Sequence, residues 1–258
     1  MISKIKEIYQ YRQMLESLVL TDLRTRYKGS FFGFFWTLLN PLLMLLVYSI
    51  VFKYIVRIEM ENYTSYLFIG LISWFLINQA VLSSAGVIIR NAGLVKKIYF
   101  PKEILPLSVV IGGAINYFFS LLILFPILIF NKIQLGLPLL LFPVILAIYF
   151  IFTFAITLIV SSLNVYFRDL EHILGIITMV WFYLTPIVFT SSMIPQEVKF
   201  IFDYNPMKII IDSFHDVFFY NKFPDALSLI KITIISFILL FAGFYIFKKL
   251  SRNFAEEI

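Results

Sequence analysis

Six apolar runs, each close to or beyond the roughly 20 residues a helix needs to cross a bilayer core, dictate where this chain folds. They cover residues 31–56, 63–85, 104–130, 137–163, 174–189 and 229–247. A water-soluble domain does not carry 61% hydrophobic and only 14% charged residues. The expected fold class is therefore an all-α integral membrane protein with six transmembrane helices. A cytoplasmic segment, 1–30, precedes the six-span domain, 31–247, and a cytoplasmic tail, 248–258, follows it. Six crossings in 258 residues leave no length for a second soluble domain of ordinary size. A cleavable signal is not expected, because the first apolar run starts late and is too long for a signal core.

Charge sets the orientation. With the N-terminus inside, the inner segments 1–30, 86–103, 164–172 and 248–258 hold 14 of the 21 Lys and Arg residues, as the positive-inside bias requires. The net charge of +6 is thus a topology signal that also attracts anionic lipid. The basic residues are dispersed over short ends and loops, so nucleic acid is not an expected partner. Cysteine is absent, which removes disulfides, thiolate metal sites and thiol catalysis. Two histidines, His172 and His215, are too few for a zinc cluster. No Gly-x-x-x-x-Gly-Lys-Ser/Thr loop occurs, so any ATP used must be hydrolysed by another chain.

Residues 3–28 have helical periodicity, with Ile5, Ile8 and Tyr9 followed by Leu15, Leu18 and Val19 on one stripe. This pattern predicts an amphipathic helix on the inner membrane surface. It delivers Arg24, Arg26 and Lys28 to the mouth of the first span, facing a partner or lipid phosphate. Gly29 and Gly33 then permit a sharp surface-to-membrane bend. In the third span Gly112, Gly113 and Pro126 predict kinks. Between the second and third spans, Leu94, Val95, Ile98 and Tyr99 form an apolar side while Lys96 and Lys97 face water. Arg168 and Asp169 form a candidate ion pair at the inner boundary after the fourth span. No series of ionisable groups runs through the spans, which argues against a proton-coupled transporter.

Aromatic residues are abundant: 30 Phe, 15 Tyr and 3 Trp. Tyr63, Tyr66 and Trp74 fit interface anchors. Tyr117, Tyr149, Tyr166, Trp181 and Tyr183 are candidates to line a passage for sugar, since aromatic faces stack on the apolar faces of sugars and hydroxyls bond to theirs. Lipid-facing packing explains the same composition.

Five stretches in fixed order carry a resemblance. The longest is Asp22-Leu-Arg-Thr-Arg-Tyr-Lys-Gly-Ser-Phe-Phe-Gly-Phe-Phe-Trp-Thr-Leu-Leu-Asn-Pro-Leu42. It is followed by Phe100-Pro-Lys-Glu-Ile-Leu-Pro106, Asn164-Val-Tyr-Phe-Arg-Asp-Leu170, Thr185-Pro-Ile187 and Tyr204-Asn-Pro-Met207. Together they resemble the membrane subunits of polysaccharide-exporting ABC transporters of the ABC-2 type, the O-antigen permeases above all. The resemblance implies a second copy of the chain, two cytoplasmic ATP-binding subunits holding ATP and Mg, and no cofactor in this chain. It implies an undecaprenyl-diphosphate-linked polysaccharide as substrate and a bacterial inner-membrane location with both termini cytoplasmic. Residues 3–28 would match the interface helix, and 90–100, with Arg90, Lys96 and Lys97, the coupling segment. Residues 190–228 would match two short re-entrant gate helices. A drug or small-lipid exporter and a non-transporting assembly anchor are the competing readings.

Overall fold

The computed structural model describes residues 2–258, with the side chains of residues 2–5, 26, 27, 34 and 54 outside the described set. The segment before the first span forms two helices, α1 (Ile2–Gln10) and α2 (Arg12–Tyr27), rather than the single one expected. They part at Tyr11, whose backbone leaves the helical region (φ −96°, ψ 20°). Gly29 (φ +80°) and Gly33 (φ +49°) then turn the chain into the bundle, in the left-handed region that costs glycine little.

Among the described residues, five helices are long and apolar enough to cross a membrane. The first is α3 (Trp36–Ser49), extended by a π-helical turn, Ile50–Ile55. Next comes α4 (Tyr63–Ala85), buried on nearly every side and so the centre of the bundle. Two short helices, α5 (Val87–Arg90) and α6 (Ala92–Lys97), lead to α7 (Ile104–Phe130). After a 3₁₀ turn, Leu137–Leu141, comes α8 (Phe142–Tyr166). α7 is assigned as helix straight through Gly112 and Gly113. A Cβ on Gly113 would touch Leu76 O at 3.7 Å and one on Gly112 would meet Asp22 Oδ2 at 3.4 Å, so these glycines let α4 and α2 pack close.

The run at 174–189 does not become a spanning helix. α9 (Leu170–Tyr183) has 14 residues, about 21 Å of rise against a core of about 30 Å. Pro186 lacks an N–H and disfavours helix at the residue before it, so 184–189 continues as irregular backbone. That segment is buried, and its carbonyls need partners in a place without water. Tyr63 Oη donates to Val188 O (2.8 Å) and Tyr66 Oη to Phe189 O (3.1 Å). Tyr63, Tyr66 and Trp74 are thus core residues and not the interface anchors that composition suggested. Gly70 leaves room for Ile187, whose Cα would lie 3.3 Å from an added Cβ.

The segment between α9 and the last long helix holds α10 (Lys199–Asp203) and α11 (Pro206–Phe218). α11 is amphipathic and buries Met207, Ile211, Phe214 and Phe218 against α4, α8 and α12. α12 (Ala226–Leu250) is capped by Asp225, which accepts from Ser228 N (2.8 Å). It lies along α8 with backbone-close contact: a Cβ on Gly243 would sit 2.9 Å from Ala155 O. A last turn, α13 (Phe254–Glu257), folds back onto α6 and α8.

Candidate functional site

One end of the bundle gathers α1, α2, α5, α6 and α13 into a basic helical surface. Lys96, Lys97, Ile98 and Tyr99 are exposed there, while Val95 and Phe100 are buried and anchor the segment. Tyr11 Oη donates to Tyr99 O (3.3 Å), joining this segment to the turn between α1 and α2. Lys96 Nζ donates to Ile258 O, joining it to α13. Arg90 donates to Ser83 O at the C-terminal end of α4, where a cation complements the helix dipole. Arg24 and Lys28 are exposed near the start of the first span, and the side chain of Arg26 lies outside the described residues. Arg168 and Asp169 are both exposed between α8 and α9.

In the half of the bundle nearer this basic end, α3, α4 and α7 line a cavity of about 410 Å³ that is open on one side. Its lining includes Asn40, Asn78, Gln79, Asn116, Thr37 and Ser120, beside the rings of Trp36, Phe75 and Tyr117. Asn116 Nδ2 donates to Gln79 Oε1 (3.2 Å). Trp36 Nε1 donates to Ser30 Oγ (2.8 Å), which fixes the indole.

The five aromatic residues named from sequence do not share one surface. Tyr117 lines the cavity. Tyr149 is fully buried, donating to Ser73 O and accepting from Ile77 N (3.2 Å). Tyr166 sits at the basic end and donates to Leu250 O (2.9 Å). Trp181 donates to Asn205 Oδ1 (2.9 Å), and Tyr183 is exposed on the last turn of α9. In the sequence the cavity's amides show only as separate polar interruptions of apolar runs.

The opposite end contains a compact titratable group on α11. His215 stacks on Tyr66 (3.8 Å between centroids), and its Nε2 donates to Tyr66 O at 3.0 Å. Burial lowers the imidazole to about 3, opposed by that hydrogen bond. Burial raises Asp212 to about 6, against the pull of Lys208 and of Ser191, whose Oγ lies 3.2 Å from both carboxylate oxygens. The two groups act in opposite senses. Ionised Asp212 costs the fold, so its effect lowers stability as pH rises from about 4 through about 6. Protonation of His215 also costs the fold, so its effect lowers stability as pH falls from about 6.5 toward about 3. Asp212→Asn removes the compensating term. Its thermal midpoint is expected to drop more steeply than wild type between pH 6 and pH 4 (roughly the window between the two carboxylate values), as read by unfolding scans in detergent. Parallel curves for the two proteins would contradict the assignment.

A multi-pass helical bundle with a polar cavity between its spans and a basic helical surface at one end is the membrane part of a transport machine. The chain belongs to the ABC-2 type transporter family, which matches residues 14–219, and is a permease component of that family. It is 36% identical to the O-antigen export system permease protein RfbA of Myxococcus xanthus over the whole of both chains. It is 35% identical to the protein of the same name from Klebsiella pneumoniae over 98% of both. It is 23% identical to the polysialic acid transport protein KpsM of Escherichia coli over 91% of this chain and 92% of that one.

Proposed function

We propose that this chain is the channel-forming subunit of an ATP-driven exporter that carries an undecaprenyl-diphosphate-linked polysaccharide of O-antigen type across the bacterial inner membrane. The observation that carries the reading is end-to-end similarity to O-antigen export permeases, with 36% identity and no part of either chain left over. Two copies and two cytoplasmic ATP-binding subunits form the working assembly.

A crossing number of six fits the contacts. Tyr11 reaches Tyr99 and α13 reaches α6, which supports placing both termini at the basic end and with it an even number of crossings. The crossing added to the five long helices, fifth in chain order, is α9 together with 184–189, from the end of α8 to Tyr63 at the far end of the bundle. The basic end then faces the cytoplasm, and α10 and α11 form the outer gate, folded back into the outer leaflet. Lys96, Lys97, Arg90, Arg24, Arg26 and Lys28 meet the ATP-binding partner or the substrate diphosphate, and Arg168 and Asp169 pair at the same boundary. Motion of α5 and α6, driven by ATP in the partner, passes through Phe100 into α7 and alters the space between α3, α4 and α7. Of the aromatic candidates Tyr117, Tyr149, Tyr166, Trp181 and Tyr183, Tyr117 in the cavity and the exposed Tyr183 meet the sugar, whereas Tyr149 is fully buried and held by Ser73 and Ile77.

Proteoliposomes containing this chain and the ATPase that co-purifies with it provide the test. ATP-dependent movement of labelled lipid-linked polysaccharide, lost when either protein is omitted, is the expected result. A correctly assembled complex that moves small amphiphiles and no glycolipid would replace the reading with a small-lipid exporter. A chain that assembles with no ATPase would leave only the anchor role.

A further inference from the structure

We infer that the cavity between α3, α4 and α7 is a saccharide subsite, in which amide side chains grip the hydroxyls of a short stretch of the passing glycan and do not hold its lipid diphosphate. The inference rests on the exporter reading and adds to it the part of the substrate recognised at this level of the membrane.

The chemistry of the lining argues for a neutral, hydroxyl-rich ligand. Asn40 comes from α3, Asn78 and Gln79 from α4, and Asn116 from α7, so three helices deliver amides to one space. Asn40 is exposed and Asn78, Gln79 and Asn116 are half-buried. An amide taken from water without a partner costs roughly 2–7 kcal/mol, so the half-buried three favour a polar occupant of the cavity. The Asn116–Gln79 bond uses one donor and one acceptor. Asn116 Oδ1 is buried without a partner among the described residues. A sugar hydroxyl is both donor and acceptor, and an amide group offers both in return. A diphosphate offers acceptors alone and is bound by cations. No Lys, Arg, Asp, Glu or His lies among the cavity's described lining residues.

Shape agrees. The volume, about 410 Å³, falls within the roughly 300–1,000 Å³ of small-molecule sites. Trp36, with its N–H already committed to Ser30, presents its ring, as Phe75 does, and such rings pack on the C–H faces of sugars. The rival occupant is a second copy of the chain, since amides also join membrane helices across an interface.

The experiment uses the permease–ATPase complex in proteoliposomes with Gln79→Leu and Asn116→Leu, which keep volume and remove hydrogen bonding, and Gln79→Asn and Asn116→Gln, which keep an amide. Two probes are compared: undecaprenyl-diphosphate-linked polysaccharide, read by transport, and undecaprenyl diphosphate without glycan, read by stimulation of ATP hydrolysis. Losing one or two hydrogen bonds corresponds to a roughly ten-fold higher half-saturating concentration. That rise is expected for the glycolipid in both leucine variants, with partial recovery in the amide variants and no change for the bare lipid. Unchanged glycolipid half-saturation would overturn the subsite, as would an equal loss with both lipids. Dissociation of the permease dimer in the leucine variants, seen by cross-linking, would assign the amides to helix pairing instead. A wild-type complex that moves no glycolipid would defeat the exporter reading itself, an outcome distinct from these.

Discussion

Asn205→Ala is expected to lower stability by about 3–5 kcal/mol, because one amide holds together the end of α9, the irregular crossing and the start of α11. Its Nδ2 donates to Leu184 O (2.7 Å) and Thr185 Oγ1 (3.0 Å). Its Oδ1 accepts from Trp181 Nε1 (2.9 Å) and from Met207 N (3.0 Å), the latter capping α11. Thr185 keeps a partner in Trp181 O when Asn205 is lost. The Leu184 carbonyl, the indole N–H and the Met207 N–H do not, and each buried group left unpaired costs about 1–3 kcal/mol. The thermal midpoint in detergent should fall by on the order of 10 °C. Asn205→Asp keeps both acceptor bonds but sets a carboxylate oxygen where Nδ2 faced Leu184 O at 2.7 Å, so it should fall at least as far as Asn205→Ala. A midpoint for Asn205→Ala within about 2 °C of wild type would show that the amide is not the pin.

That pin explains why Thr185-Pro-Ile187 and Tyr204-Asn-Pro-Met207 carried a family signal that hydropathy could not interpret. Hydropathy was sufficient where a helix is apolar from end to end: the expected runs 63–85 and 104–130 coincide with Tyr63–Ala85 and Ile104–Phe130. It failed at 174–189, where Val188 and Phe189 are as apolar as a helix interior yet sit in irregular backbone beyond Pro186. Apolarity reports burial, whereas the backbone path there is decided by a proline and by hydroxyls of α4 more than 100 residues away in sequence. The same ambiguity covers Tyr63 and Tyr66: a tyrosine near a span end serves an interface or a buried carbonyl equally well. The amide cavity was out of reach because Asn40, Asn78 and Asn116 are separate polar interruptions of three apolar runs. Only the packing of α3, α4 and α7 makes them neighbours.

Phe254→Ala is expected to free α13 from the basic end while leaving the spans intact. Phe254 is fully buried, edge-on to Phe247 at 5.6 Å, with Lys102 Nζ 5.4 Å from its ring centroid. A four-residue helix has no stability of its own, so docking must come from such contacts. Lys102 Nζ adds a bond to Ser251 O (2.7 Å) and Tyr166 Oη one to Leu250 O (2.9 Å), both before α13 begins. Truncating a buried phenylalanine costs about 3–5 kcal/mol, which shifts the docking equilibrium by about a hundred-fold or more. Amide hydrogen exchange in 254–258 should accelerate by that order, while exchange in α4 stays at the wild-type rate. Phe254→Leu, which keeps most of the buried area, should change exchange far less. Because Lys96 on α6 holds Ile258 O, release of α13 also frees the exposed segment proposed above to meet the ATP-binding partner. In the assembled exporter the variant should therefore hydrolyse ATP with less glycolipid moved per ATP. Wild-type exchange at 254–258 in Phe254→Ala would refute the docking role, and wild-type transport per ATP despite fast exchange would confine that role to local stability.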